Sequence, residues 1–154
     1  MSTHHTPLLG ALVLAGLLGT ATAPALAQFS TPPAAATTSK QASTARTERE
    51  YRKDGARHLY AAYKKQVRKG KMPPLLYGVA IIETEIGAGG EVRDVRVVRQ
   101  PAAAEVGPWA VEMIRHASPF PAPPAEMGSV KYTEIWLVDK NGRFQLDTLS
   151  EGQK

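Results

Sequence analysis

The fold of this chain is decided by a proline-rich stretch that separates two patterned segments. The stretch reads Ala117-Ser118-Pro119-Phe120-Pro121-Ala122-Pro123-Pro124-Ala125-Glu126. Each proline lacks a backbone donor and fixes φ, so the run can neither continue a helix nor join a central strand. The sequence therefore predicts a stiff, extended connector. It ends an amphipathic helix over residues 105–117 and precedes a strand over residues 130–138.

Upstream of this connector, the sequence predicts a β-hairpin. Residues 77–86 alternate between two faces as a strand does, and residues 91–99 form a valine-rich return strand. Between them, Gly87-Ala88-Gly89-Gly90 supplies the positive-φ positions of a tight turn. Val97 and Val98 are adjacent, which breaks strict alternation. A β-bulge or burial on both faces would accommodate them.

A first helix is predicted over residues 46–69, ahead of the hairpin. Its apolar stripe recurs every four positions. The stripe consists of Leu59, Tyr63 and Val67. Because glycine lowers helix propensity, Gly55 weakens the pattern, and the stable part is expected to begin near Ala56.

A fourth strand is predicted near the C-terminus. Asn141-Gly142 is a strong signal for a two-residue hairpin turn, and residues 143–149 would return along the third strand. The element order α-β-β-α-β, with this last strand, predicts an α+β fold. It is a two-layer sandwich in which a mainly antiparallel sheet of three to four strands carries two helices on one face. A right-handed crossover would place the first strand centrally and the third at an edge.

The N-terminal segment predicts export. An apolar run is followed by Ala25-Leu26-Ala27, so residues 1–27 are interpreted as a signal peptide cleaved between Ala27 and Gln28. The alternative is an uncleaved membrane anchor, because about 20 apolar and small residues roughly span a bilayer. The chain contains no cysteine, so the exported domain would rest on its hydrophobic core rather than on disulfides.

Composition divides the remainder of the chain. Residues 28–45 are rich in Ala, Thr, Ser and Pro and are predicted to be a disordered linker, whose roughly 17 residues would reach about 60 Å when extended. Residues 46–149 form the predicted domain, and residues 150–154 form a tail. The net charge is +5, with lysines and arginines concentrated in residues 46–71. This run favours a solvated helix face over a nucleic-acid site, since no aromatic-rich basic motif accompanies it.

No constellation in the sequence predicts catalysis. Four carboxylates cluster near the hairpin and are interpreted as a solvated strand face: Glu83, Glu85, Glu91 and Asp94. His58 and His116 lie on separate helices without a metal-binding motif; a surface position is expected for His58 and the last turn of its helix for His116. No nucleophile motif is present. The sequence therefore predicts no catalytic residue, no metal site and no cofactor.

The hairpin and the proline motif together resemble the C-terminal domain of TonB-family proteins. The matching segments are Ile86-Gly87-Ala88-Gly89-Gly90-Glu91-Val92, Asp94-Val95-Arg96-Val97-Val98 and Ile114-Arg115-His116-Ala117-Ser118-Pro119-Phe120-Pro121-Ala122-Pro123-Pro124. The resemblance covers residues 63–138. It implies a non-enzymatic periplasmic module to which an extended peptide of an envelope partner, such as an outer-membrane receptor segment, adds as a strand.

Mapped on this chain, the resemblance places the accepting edge on the third strand. The candidate partner-binding residues are Lys131, Tyr132, Thr133, Glu134, Ile135, Trp136, Leu137 and Val138. The hairpin at Asn141-Gly142 would fold the last strand against this edge and mask it. Two alternatives remain. One is an inner-membrane-anchored energy transducer for outer-membrane transport that retains residues 1–27. The other is a structural domain that contacts an anionic envelope surface through the basic helix.

Overall fold

The computed structural model describes residues 29–30 and 42–153. The predicted signal peptide, its cleavage point between Ala27 and Gln28, and most of the predicted linker lie outside these residues. The elements in chain order are α1 (Glu48–Ala62), β1 (Gly78–Ile86), β2 (Val92–Arg99), α2 (Val106–His116), β3 (Val130–Val138) and β4 (Phe144–Leu146), followed by a short 3-10 helix (Asp147–Leu149). The four strands form one antiparallel sheet in the order β2-β1-β3-β4.

The predicted α+β sandwich is confirmed. Side chains of β1 and β3 alternate strictly between buried and partly exposed, as expected for a sheet covered on one side. Tyr51 of α1 contacts Tyr132 with ring centroids 6.2 Å apart, and Trp109 of α2 contacts Trp136 at 6.1 Å. Tyr132 and Trp136 are four residues apart on one strand and therefore share a face. Both helices thus pack on the same side of the sheet.

The first helix is shorter than predicted, because its last two turns are replaced by a turn and by pairing with β4. The helix ends at Ala62, and Val67 instead forms an isolated bridge with Phe144. The N–H of Arg68 donates to the carbonyl of Phe144 at 2.9 Å, and the N–H of Phe144 donates to the carbonyl of Gln66 at 3.0 Å. The spacing of Tyr63 and Val67 fits a helix, but these tertiary partners override the local pattern.

The start of the first helix also differs from the prediction. The helix begins at Glu48, where the Thr47 hydroxyl accepts the N–H of Glu50 as an N-cap, and it continues through Gly55. A Cβ atom at Gly55 would lie 3.1 Å from the ring of Tyr132. The glycine therefore allows α1 to approach β3 closely. The expectation that the stable helix begins near Ala56 was wrong, because the helix begins eight residues earlier.

A bulge accommodates the adjacent valines of β2. The register shifts between Ile81 and Ile82, so that Val98 has no partner on β1, and its side chain is 55 % exposed. A second shift leaves Arg93 unmatched. The bulge alternative for Val97 and Val98 is therefore confirmed.

The third strand does not lie at the edge of the sheet, contrary to the prediction. It lies between β1 and β4, because the predicted hairpin forms and returns the chain along β3. The N–H of Asp139 donates to the carbonyl of Arg143 at 2.9 Å, so the loop has three residues (140–142) rather than the predicted two. Oδ1 of Asp139 accepts the N–H groups of Asn141 and Arg143 at 2.8 and 3.1 Å, and Gly142 has the positive φ that the turn requires. β4 ends at Leu146 rather than at residue 149, since the chain turns into the 3-10 helix.

Candidate functional site

The outer edge of β4 is covered by another part of the chain. Residues 66–68 pair with Phe144 on that side. The side-chain amide of Gln145 donates to the carbonyls of Arg68 and Gly70 at 3.0 and 2.7 Å. Gln145 is fully buried as a result. This edge offers no row of unpaired backbone groups to a partner.

The opposite edge, on β2, carries features that discourage pairing. Charged and exposed side chains line it, and two bulges interrupt its register. The charged residues are Arg93, Asp94, Arg96 and Arg99. Bulges and charges are the usual means by which a sheet edge is protected from another strand. Charged side chains and bulges, rather than a covering segment, therefore protect this edge from pairing with another strand.

Part of β3 has no strand beside it. β4 pairs only with Trp136, Leu137 and Val138, which leaves residues 131–135 without a neighbouring strand on that side. We call residues 131–135 the open segment of β3. Of the eight candidate residues, three are therefore already paired with β4, and the other five belong to the open segment.

The direction of the backbone groups identifies which residues of the open segment are available. A residue of an antiparallel strand directs its N–H and C=O to the same neighbour. The N–H of Ile135 donates to the Glu134 carboxylate at 3.0 Å rather than to β1, so the odd-numbered residues face outward. Lys131 and Thr133 share this orientation. No described residue forms a hydrogen bond with their outward backbone groups.

Glu134 closes one end of the open segment. Its Oε1 accepts from the N–H of Ile135, from the N–H of Thr148 at 3.3 Å and from Nη2 of Arg52 at 3.3 Å. The residue is only 1 % exposed, and this burial raises the pKa of its carboxyl despite the opposing hydrogen bonds. The carboxylate thus accepts the outward N–H of Ile135, next to the point where β4 ends. An added strand could therefore pair only with residues that precede Ile135 in the chain.

The side chains of the candidate residues divide between two faces. Tyr132, Glu134, Trp136 and Val138 face the helices and are buried. Burial raises the pKa of Tyr132 well above its usual value, and its hydroxyl has no hydrogen-bond partner among the described residues. These even-numbered side chains contribute to the core. They are not available to a partner on the sheet surface.

The odd-numbered side chains lie on the open face of the sheet. Leu137 is opposite Val79, and Ile135 is opposite Ile81, so this half of the face is apolar. The other half is polar: Thr133 and Lys131 lie opposite two glutamates of β1, of which Glu83 pairs with Arg96 at 2.7 Å. A strand added at the open segment would extend both halves of this face.

The remaining chemical groups agree only partly with the sequence predictions. Glu91 accepts from its own backbone N–H and from Arg93, which lowers its pKa.

His58 is buried, contrary to the expected surface position, and its Nε2 donates to the carbonyl of Ala117 at 2.6 Å. Burial lowers the pKa of His58. His116 lies in the last turn of α2, 3.8 Å from Glu112. Within residues 29–30 and 42–153, no three potential ligands could together hold a metal ion.

Sequence reasoning missed the contacts that border the open segment. Arg52 and Thr148 meet at Glu134 although they lie far apart in the chain, and no local pattern joins them. The one available signal was a glutamate at an inward position of an apolar strand, since buried carboxylates need partners.

Among the described residues, no helix combines the length and the apolar character needed to cross a membrane. No protein-family model matches the chain, and none of the curated proteins or solved structures compared with it gives a match.

Proposed function

We propose that this protein is a non-enzymatic, periplasmic protein-binding module, to which an extended segment of an envelope partner adds as a strand beside the open segment of β3. The proposal follows the resemblance of residues 63–138 to TonB C-terminal domains. The observation that supports it is the row of outward backbone groups on Lys131 and Thr133, which no described residue uses. The other two edges are protected or covered.

The size of the open segment limits how tightly such a strand would bind. Two outward residues offer two N–H and two C=O groups. At about 0.5–1.5 kcal/mol of net stabilisation for each hydrogen bond, the backbone contributes only a few kcal/mol before the cost of ordering the peptide. A partner would therefore need side-chain contacts as well, and apolar residues that reach Ile135 and Ile81 would supply them. We expect weak, reversible binding.

Removal of β4 is not a clean way to enlarge this site. Deletion of residues 143–154 would unmask the backbone of Trp136 to Val138, but it would also remove Phe144 and Leu146, which are completely buried. The loss of two large core side chains costs several kcal/mol, so the domain would be at risk of unfolding. A test has to change the open segment itself.

The test compares two substitutions at Thr133. Peptides would be selected on the folded protein from a displayed library of random short sequences, and their affinities measured by titration. Thr133→Pro removes the outward N–H and should abolish binding, since proline is tolerated on an edge but cannot donate. Thr133→Val removes the hydroxyl and keeps the N–H, so it should bind like the wild type. Circular dichroism establishes that both variants are folded.

Amide chemical shifts then locate the added strand. Peptide binding should shift the N–H resonances of Lys131 and Thr133. Unchanged affinity in folded Thr133→Pro, or shifts confined to Val95 and Val97 of β2, would contradict the proposal. The intact mass of the protein from its host tests the location: a soluble species that begins at Gln28 fits a free module, whereas retention of residues 1–27 fits the anchored transducer.

One observation favours a second candidate, the structural domain on an anionic surface. Arg49, Lys53 and Arg57 are exposed and follow each other at four-residue intervals, so they form a basic row on α1. Binding of the protein to anionic vesicles, with a steep loss as salt increases, would support this candidate. Salt-insensitive binding that is lost in Thr133→Pro would support strand addition instead.

A further inference from the structure

Phe29 packs against the domain although it lies well upstream of α1. Its ring stacks on Tyr77, with centroids 5.3 Å apart and planes inclined by 19°. It also meets the ring of Trp109 edge-on at 5.6 Å and 89°. Both geometries are preferred arrangements for aromatic pairs. We call the space between Tyr77 and Trp109 the aromatic slot.

Contacts other than Phe29 hold both walls of the slot. The N–H of Tyr77 donates to the carbonyl of Val138 at 2.9 Å, and its hydroxyl donates to the Glu105 carboxylate in a short hydrogen bond that lowers the pKa of Glu105. Trp109 is nearly buried and packs edge-on against Trp136 and Phe144, each with ring centroids 6.1 Å away. The slot is therefore largely preformed.

Phe29 fills the slot without becoming part of the core. Its side chain is only partly buried, and Tyr77 stays 38 % exposed beside it. A preformed apolar cleft that opens to solvent has the character of a ligand site rather than of a core contact. A ring that occupies such a site can exchange with another ring that approaches from solution.

We propose that Tyr77 and Trp109 form a binding site for an aromatic side chain, that Phe29 occupies it as an intramolecular ligand, and that an aromatic residue of a partner binds by displacing Phe29. The site is independent of the open segment of β3. Tyr77 adjoins Val138, whereas Thr133 lies five residues along β3, about 17 Å away at the usual rise per strand residue. Failure of strand addition would therefore leave this proposal intact.

Phe29 belongs to the same chain as the aromatic slot, so it competes with a free probe as an intramolecular ligand. Such a ligand acts at an effective concentration, on the order of millimolar for two groups that a short linker joins. A free aromatic probe of similar intrinsic affinity would then bind the wild type roughly two- to tenfold more weakly than a variant that lacks the Phe29 ring. Displacement is consequently measurable with a small molecule.

The probe is N-acetyl-phenylalanine amide, with N-acetyl-alanine amide as the matched control compound. The chain contains two tryptophans, both buried, so the indole N–H resonance of Trp109 is assigned as the one that is lost in Trp109→Phe. In Phe29→Ala, the phenylalanine probe should shift the Trp109 resonance saturably and bind more tightly than in the wild type. Leu75→Ala truncates an apolar side chain that is 88 % exposed, and it should behave like the wild type.

Two further measurements keep the proposal testable whatever Phe29→Ala does to stability. In the wild type, nuclear Overhauser contacts should join the rings of Phe29 and Trp109, and saturating probe should abolish them. Tyr77→Ala, combined with Phe29→Ala, should lose probe binding. Equal affinity of the probe for the wild type and Phe29→Ala, an unshifted Trp109, or binding of the alanine compound with the same affinity would overturn the proposal.

Discussion

The guanidinium of Arg68 lies 2.7 Å from Oδ2 of Asp139, and this ion pair joins the segment that covers β4 to the hairpin that produces β4. Asp139 is 1 % exposed, and its other oxygen accepts the two N–H groups of the hairpin turn. One carboxylate therefore stabilises both the turn and the covering segment.

Loss of this ion pair should be costly. Arg68→Ala would leave the carboxylate of Asp139 buried without its counter-charge, and breaking a buried pair in this way typically costs about 3–5 kcal/mol. Because Arg68 itself is partly exposed, we expect about 2–4 kcal/mol, measured by urea unfolding. Arg57→Ala is the matched control: Arg57 is 67 % exposed and its partner Asp54 is not fully buried, so we expect less than about 1 kcal/mol. Equal losses for the two arginines would contradict this account.

Gly55 should resist enlargement although it lies in the middle of a helix. In an exposed helix, replacement of glycine by alanine gains about 1 kcal/mol. Here the new Cβ would lie 3.1 Å from the fully buried ring of Tyr132, so Gly55→Ala should gain nothing and Gly55→Leu should lose about 2 kcal/mol or more. Lys53→Leu, two positions away and exposed, should stay within about 0.5 kcal/mol. A stabilised Gly55→Ala would show that α1 has room to move.

Because of Glu134, the free energy of unfolding should fall as pH rises from 4.5 through the raised pKa of this residue in the folded state. Its folded pKa is raised above the ordinary value of 4.5, so the folded state binds the proton more tightly than the unfolded state does. The resulting stabilisation is complete below 4.5 and is lost as pH rises through the folded pKa. Glu134→Gln should remove this dependence.

The difference in unfolding free energy between the wild type and Glu134→Gln isolates this effect, because the other carboxyls contribute equally to both proteins. This difference should decrease with increasing pH across that range. An increase would mean that the pair with Arg52 outweighs burial and holds the pKa of Glu134 below its ordinary value.

Strand positions could be predicted from the sequence because alternation and turn residues are local signals. Val130–Val138 has the predicted bounds, and β1 and β2 each begin one residue later than predicted and end where expected. The end of α1 could not be predicted in the same way. Tyr63 and Val67 repeat with helical spacing, but the backbone that pairs with Val67 belongs to Phe144, far along the chain.

The candidate site was predicted less completely than the fold. Its location on β3 depended on the sheet order, which in turn depended on the strand that follows Asn141-Gly142. The limit that Glu134 places on the open segment depends on Arg52 and Thr148, which no short pattern joins. Phe29 did leave a signal, since it is a lone aromatic residue in a tract of small and polar residues, but composition alone assigned that tract to a linker.

The sheet order has a consequence for how the chain reaches its native state. The pairs β1–β2 and β3–β4 are local hairpins, each closed by a short turn, whereas Gly78 and Val138 pair across 60 positions (138 − 78). Long-range pairing requires closure of a large loop before its contacts form, so the docking of one hairpin on the other is expected to set the folding rate. Until then, the inner edges of β1 and β3 are both unpaired, and a hairpin from a second molecule could dock on either.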